Sequence, residues 1–431
     1  MMLHGFLSAT IVAVCITFPA VAEPLPKASQ PEELGISAQR LKILDAAFQS
    51  EVDSGKLPGA VVLIVRNGKV AYSRAFGYQD REKQIAMKPD AIFRIASMTK
   101  PLVSVAAMML VEEGKLQLVS PVSAFLPEFK EVKVGVEKAN DGTGKPELVL
   151  EPPRREMTIH DLLRHTSGLT YGQFGDSLVK QAYRSANIGA PGESLAAVVS
   201  KLAQLPLAYQ PGTTFEYSMS TDVLGRVVEV ASGMELDQFI AERITKPLGM
   251  PDTGFYVSEG HAGRVAEPQV DAATGKRPPM RDVSVRPSWL SGGGGMVSTA
   301  ADYARFCQML LNGGAFEGRR FLSPRTVAYM TTDHLPPGTV ISQAVQGFGS
   351  LIPSPALGQG FGLGFAVRTD VGRNPMPGSV GEFYWTGSSG TTFWIDPKEN
   401  LVAILMVQVP LLRGAYYRSL IRNMVYQAFA N

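Results

Sequence analysis

The chain has 431 residues, 45% of them hydrophobic and 19% charged, with a formal net charge of +2. That is a globular protein with a large core, longer than one ordinary domain but suited to a single catalytic unit of two lobes. The near-balanced charge and the lack of any basic run exclude an electrostatic surface for nucleic acid or anionic lipid.

Residues 7–18 are apolar, and Ala20-Val21-Ala22 has the small-x-small pattern of a cleavage site, which would make Glu23 the first mature residue. The run is short for a membrane span. Residues 1–22 therefore read as a signal peptide, and residues 23–431 as a periplasmic or secreted chain without lasting membrane association. No Lys or Arg precedes the apolar run, which leaves an uncleaved anchor as the alternative.

Residues 35–56 read as a helix with Leu41, Leu44, Phe48 and Val52 on one face. Two strands follow, residues 60–65 and 70–75, joined at Asn67-Gly68, a strong hairpin signal between apolar runs. Next comes Ser97-Met98-Thr99-Lys100, heading the helical stripe Leu102, Val105, Ala106, Met109 and Leu110. A serine and a lysine three residues apart share one helix face. There the amine, if burial or a neighbouring cation keeps it poised, can help take the hydroxyl proton. Pro101 fits only the first turn of a helix, so Ser97 is expected at a helix N-terminus beside free N–H groups. The same spacing recurs at Ser177-Leu178-Val179-Lys180, in a Gly- and Tyr-rich stretch without that setting, and Ser177 reads as a surface residue.

Residues 130–157, rich in charge, Gly and Pro, read as an excursion loop, as do residues 267–287. His160-Asp161-Leu162-Leu163 looks like a helix opening, with His165 packing or capping nearby rather than joining a Ser-His-Asp triad. Tyr217 precedes a helix starting near Thr221; a phenol acidified by Lys100 could relay protons to a leaving group. Cys307, the sole mature cysteine, falls in a helical pattern as a buried thiol. The five histidines show no metal-ligand spacing, and neither metal nor cofactor is expected. Trp385-Thr386-Gly387-Ser388 comes just before the strand from Thr391, and small residues on a strand edge let a substrate backbone come close. Strands follow at residues 391–395 and 401–408, joined at Asp396-Pro397-Lys398-Glu399-Asn400, and a helix at residues 415–429 closes the chain. Both ends thus supply helix and antiparallel strand around a mostly helical middle. The economical fold is an α/β lobe from about residues 34–95 and 345–431, with a helical lobe, about 97–345, inserted.

The order of these pieces resembles the penicillin-recognising serine hydrolases, the serine β-lactamase-like superfamily of class C β-lactamases, D-Ala-D-Ala peptidases and family VIII carboxylesterases. Their Ser-x-x-Lys matches Ser97 and Lys100; His165-Thr166-Ser167-Gly168-Leu169, Pro211-Gly212 ahead of Tyr217, and Gly292-Gly293-Gly294-Gly295-Met296-Val297-Ser298-Thr299 also look like theirs. The resemblance runs from about Leu34 to the C-terminus. It implies an antiparallel sheet flanked by helices with a helical lobe, and Ser97, Lys100 and Tyr217 as catalytic residues. It further implies an oxyanion hole from the N–H groups of Ser97 and Ser388, such donors being worth ~3 kcal/mol of barrier each.

Two departures decide the subtype. The β-lactamase second motif, Tyr-x-Asn, has Met219 at its Asn position, and the Lys of Lys-Thr-Gly is replaced by Trp385, as in some family VIII carboxylesterases. Met219, Trp385 and Gly387 would then bind substrate, with an indole wall in place of carboxylate attraction. The expected function is hydrolysis of small, short-chain esters through an acyl-enzyme, with at most weak side activity on β-lactams. A β-lactamase or D-Ala-D-Ala peptidase, an acyltransferase and a non-catalytic sensor-like module are the alternatives. The absence of Gly-x-Ser-x-Gly disfavours an α/β-hydrolase. Whether Lys100 or Tyr217 is the resting base stays open at this level.

Overall fold

The computed structural model describes residues 24–139, 145–271, 273–346 and 353–430. The segment read as a signal peptide lies outside them, and no described helix is long and apolar enough to cross a membrane. Helix α1 (Ala38–Asp53) starts at Ser37, whose side chain accepts the Arg40 N–H, and buries Leu41, Leu44, Phe48 and Val52. Strands β1 (Gly59–Arg66) and β2 (Lys69–Asp80) form the expected hairpin. Asn67 and Gly68 take φ of 52° and 74°, the left-handed pair that a type I′ turn demands. A short edge strand, β3 (Ile85–Ala86), follows.

The chain returns to this sheet through β4 (Gln359–Phe361), β5 (Ala366–Arg368), β6 (Phe383–Thr386), β7 (Thr392–Asp396) and β8 (Leu401–Val407). All eight strands form one antiparallel sheet in the order β4-β5-β6-β7-β8-β1-β2-β3. Strands from opposite ends of the chain pair at its centre, Val62 facing Leu405. Every β1 residue but Arg66 is buried, so both faces of the sheet are covered. The closing helix (Leu411–Tyr426) packs with α1 and β8, while the Ala300–Leu311 helix packs on β1, β7 and β8 and buries Cys307. Each fully buried Leu, Ile or Phe side chain here contributes about 1.5–3 kcal/mol.

Between the two halves of the sheet lie α2 (Thr99–Glu112), α3 (Ile159–Leu163), α4 (Leu178–Ser185), α5 (Leu195–Ala203) and α6 (Ser220–Ser232). From Thr99 to Leu110 every residue of α2 is buried. A helix apolar all round belongs in the middle of a structure, and α6 packs against it, with α3 and α5 on α6's other sides.

Two local expectations need correction. Residues 130–157 are not merely a loop: Val134–Ala139 and Pro146–Glu151 pair as an antiparallel ribbon, Val136 opposite Val149. Their apolar alternation was hidden by interleaved Glu and Lys, which an outlying two-stranded ribbon can leave in water. Ser177 is not a plain surface residue either. It is half-buried and caps α4, its hydroxyl accepting the Lys180 N–H at 3.3 Å. Among the described residues, 267–287 contains no helix or strand, as expected of a loop.

Candidate active site

Ser97 lies in a 3-10 turn, Ala96–Met98, that feeds directly into α2. Ala96 takes a left-handed φ of 44°, an uncommon conformation for a residue with a Cβ and a local strain beside Ser97. Pro101 occupies the first turn of α2, where no intrahelical N–H is needed. The turn sets Ser97 half-exposed above Lys100, which is 1% exposed.

Lys100 Nζ lies 3.3 Å from Ser97 Oγ, 3.2 Å from Tyr171 Oη and 2.6 Å from the carbonyl oxygen of Gly293. It also stands 4.6 Å from the ring centre of Tyr217. Burial alone would push this amine down, but Tyr171, Tyr217 and the carboxylate of Asp222 more than reverse it and hold the ammonium form. The three acceptors match the three N–H groups of an ammonium. Burial, expected to keep this lysine poised, is thus countered by the oxygens around it, which favour the ammonium form.

Tyr217 follows Glu216, and Glu216 is pinned by Lys180 at 2.9 Å and by the Thr170 hydroxyl at 2.5 Å. The lysine of the second Ser-x-x-Lys is thus consumed in an ion pair with Glu216, the residue before Tyr217. Both serines head helices; what separates them is where their lysines point. The Tyr217 hydroxyl accepts a hydrogen bond from Trp385 Nε1 at 3.3 Å, and the two rings lie 5.4 Å apart. Trp385 is therefore more than a wall: it touches the phenol.

His165, 2% exposed with φ 56°, packs edge-on to Phe215 and Phe361 and sets Nδ1 3.2 Å from Ser218 Oγ. Burial, with Lys100 adding to it, pushes its pKa far down, so the ring is neutral. Asp161 is engaged by Arg155, Arg164, Thr158 and Thr166. His165 and Asp161 therefore join no Ser-His-Asp triad among the described residues.

Ser97, Tyr217, Met219, Trp385 and Ser388 line one cleft of about 240 Å³, together with Tyr171, Phe174, Asp222, Trp289, Gly293 and Arg418. Gly387 lies just behind it; a Cβ there would stand 2.5 Å from the Ile95 carbonyl, so only glycine lets β6 end against the turn carrying Ser97. Neither the Ser97 nor the Ser388 N–H has an acceptor among the described residues. The predicted residues thus come together around one space.

Sequence reasoning missed Tyr171, Asp222 and Arg418, and it named the stretch from Gly292 without the contact of the Gly293 carbonyl with Lys100. Tyr171, three residues after the His-Thr-Ser-Gly-Leu stretch, could have been noticed as a second aromatic near a motif. Asp222 is 1% exposed and accepts from Ser291 Oγ at 2.7 Å; burial raises its pKa, opposed by Ser291 and Lys100. Among the described residues no cluster of three or more His, Cys, Asp or Glu is arranged to hold a metal ion.

The chain belongs to the Beta-lactamase family, whose model matches residues 44–417. Protein Rv1367c of Mycobacterium tuberculosis is 39% identical over 84% of this chain and 88% of its own length. Esterase EstB of Burkholderia gladioli is 32% identical, over 84% of this chain and 89% of its own. Among solved structures, EstCE1, described as a hydrolase with promiscuous acyltransferase activity, superposes with a TM-score of 0.73 at 29% identity, covering 92% of this chain and 99% of its own. The fold is thus the serine β-lactamase-like one expected from the motifs.

Proposed function

We propose that this serine hydrolase is a carboxylesterase of the family VIII type, acting on short, uncharged esters through an acyl-enzyme on Ser97. The observation that carries the reading is Ser97 Oγ set 3.3 Å from buried Lys100 in a cleft walled by Tyr171, Phe174, Tyr217, Trp289 and Trp385. Apolar acyl and alcohol groups suit those walls. The likeness to EstB and EstCE1 supports ester chemistry.

Ser97 Oγ attacks the ester carbonyl and its proton passes to Tyr217. Lys100, already donating to three oxygens, remains an ammonium with Nζ 4.6 Å from the Tyr217 ring centre and favours the Tyr217 phenolate, aided by the Trp385 N–H. Desolvation pushes the Tyr171 phenol up and Lys100 only partly offsets that, so Tyr171 stays protonated. The N–H groups of Ser97 and Ser388 receive the developing oxyanion. Tyr217 then protonates the departing alcohol, and water repeats the sequence to release the acid. An export route through residues 1–22, ending in the periplasm or outside the cell, belongs to the same reading, and N-terminal sequencing of the mature protein tests it.

The deciding experiment is a hydrolysis screen of p-nitrophenyl esters from acetate to palmitate, beside nitrocefin, a D-Ala-D-Ala peptide and a reaction with added alcohol. Short esters should have the highest kcat/KM, and a fluorophosphonate should label Ser97 and not Ser177. Nitrocefin turned over with a higher kcat/KM than p-nitrophenyl butyrate would replace this reading with a β-lactamase. Ester formation outrunning hydrolysis would make it an acyltransferase.

A further inference from the structure

The peptide group joining Gly387 to Ser388 is engaged at one end only. Its N–H, on Ser388, has no acceptor among the described residues, and Ser388 lines the cleft with Ser97. Its carbonyl, on Gly387, accepts twice: from the Gly390 N–H at 3.0 Å and from Nη2 of Arg418.

Arg418 comes from the closing helix and is 3% exposed. It makes no ion pair with an Asp or Glu among the described residues, whereas Arg368 and Arg422, equally buried, share Glu382. Its Nε is buried without a partner. Burial lowers its pKa to about 10, with Tyr217 opposing, so it is still a guanidinium at neutral pH. A buried cation without a counter-charge is costly, and its one hydrogen bond here goes to Gly387. The backbone is shaped to allow it. Gly414, one turn before Arg418, lies against Gly390, and a Cβ on Gly414 would stand 2.8 Å from the Gly390 Cα.

We infer that Arg418 is a positioning residue for the oxyanion hole: its guanidinium fixes the Gly387–Ser388 peptide plane and polarises it, so that the Ser388 N–H presents more positive charge to the cleft. The inference rests on the reading of Ser388 as an oxyanion donor. A charged donor on an amide oxygen makes the stronger kind of hydrogen bond, and hydrogen bonds in series strengthen one another. The bond also resists rotation of a peptide flanked by glycine, which would otherwise turn its N–H out of the cleft.

The test uses the full chain with Arg418→Lys, Arg418→Gln and Arg418→Met, alongside Ser388→Pro, which deletes the N–H. On p-nitrophenyl butyrate, kcat should fall in the order Arg, Lys, Gln, Met, with a total loss of about tenfold or more, short of removing a donor outright. KM should stay within about twofold. The Ki of a phenylboronic acid, whose oxygen occupies the oxyanion position, should rise in proportion to the lost kcat. Wild-type kcat and boronate Ki in folded Arg418→Gln would overturn the inference even if Arg418→Met does not fold. If Ser388→Pro loses activity while the Arg418 variants keep it, the inference fails and the oxyanion reading stands. Full activity in Ser388→Pro removes both.

Discussion

Lys100 Nζ donates to the carbonyl oxygen of Gly293 at 2.6 Å, the shortest of its three contacts and one that spans 193 residues of sequence. A carbonyl can only accept, so this contact fixes the lysine as a donor, and the glycine-rich stretch beginning at Gly292 as part of the site. Gly293 has no room for a side chain: a Cβ would lie 2.3 Å from Asp222 Oδ2 and 3.1 Å from Tyr171 Oη. Gly293→Ala should therefore displace both neighbours of Lys100 and lower kcat by about 10- to 100-fold, the range that misplacement by an ångström produces. The labelling rate of Ser97 by a fluorophosphonate should slow by the same factor. An unchanged rate would show that the Lys100–Gly293 contact has no part in arming Ser97.

The two phenols around Lys100 are predicted to differ in role. Tyr217→Phe removes the proposed base and should cost about 10²-fold or more in kcat. Tyr171→Phe removes one acceptor of Lys100 while leaving Tyr217 in place, and should cost about tenfold at most. Steady-state kinetics of both variants on one ester settles the assignment, and the reverse order would make Tyr171 the base.

Trp385 has two jobs that a single substitution separates. Trp385→Phe keeps an aromatic wall and deletes the Nε1–H that reaches Tyr217. A hydrogen bond to an ionised group is worth about 1.5–3 kcal/mol, so kcat should drop about tenfold or more with KM little changed. A rise in KM at constant kcat would mean that Trp385 acts on substrate alone.

Asp161 is the pH-dependent anchor beneath the site. Burial opposes its charge, but Arg155 and its other donors, Thr158 and Thr166 among them, win and bring its pKa to about 2. A carboxylate with a folded pKa below its unfolded value contributes stability above about pH 4, and that contribution is lost as pH falls through about 2. Asp161→Asn keeps the shape and removes the charge. Because the Arg155 side chain is 43% exposed, the loss at neutral pH belongs at the lower end for a broken buried pair, about 3 kcal/mol. Denaturant midpoints of the two proteins should differ at pH 7 and converge as pH falls towards 2. A constant difference across that range would rule out the charge as the cause.

Elements whose signals are local were legible in the order of residues alone. The Asn67-Gly68 hairpin, the apolar face of α1, the start of α2 just after Ser97, signalled by Pro101, and the order of motifs that marks the family are all legible in the chain. Each rests on neighbours within one turn of helix or one strand pair, where periodicity and turn chemistry act. What the tertiary structure decided is charge and partnership. Sequence spacing put a lysine three residues after a serine at two places, yet only packing showed that Lys180 is consumed by Glu216 while Lys100 faces Ser97. Tyr171 and Gly293 lie 71 and 193 positions from the Lys100 they contact, and Arg418 lies 31 from Gly387, and no periodicity records that these groups meet. The protonation of Lys100 was likewise beyond the sequence, because it depends on the balance between burial and the oxygens that surround it, and that balance exists only once the chain has closed around the site.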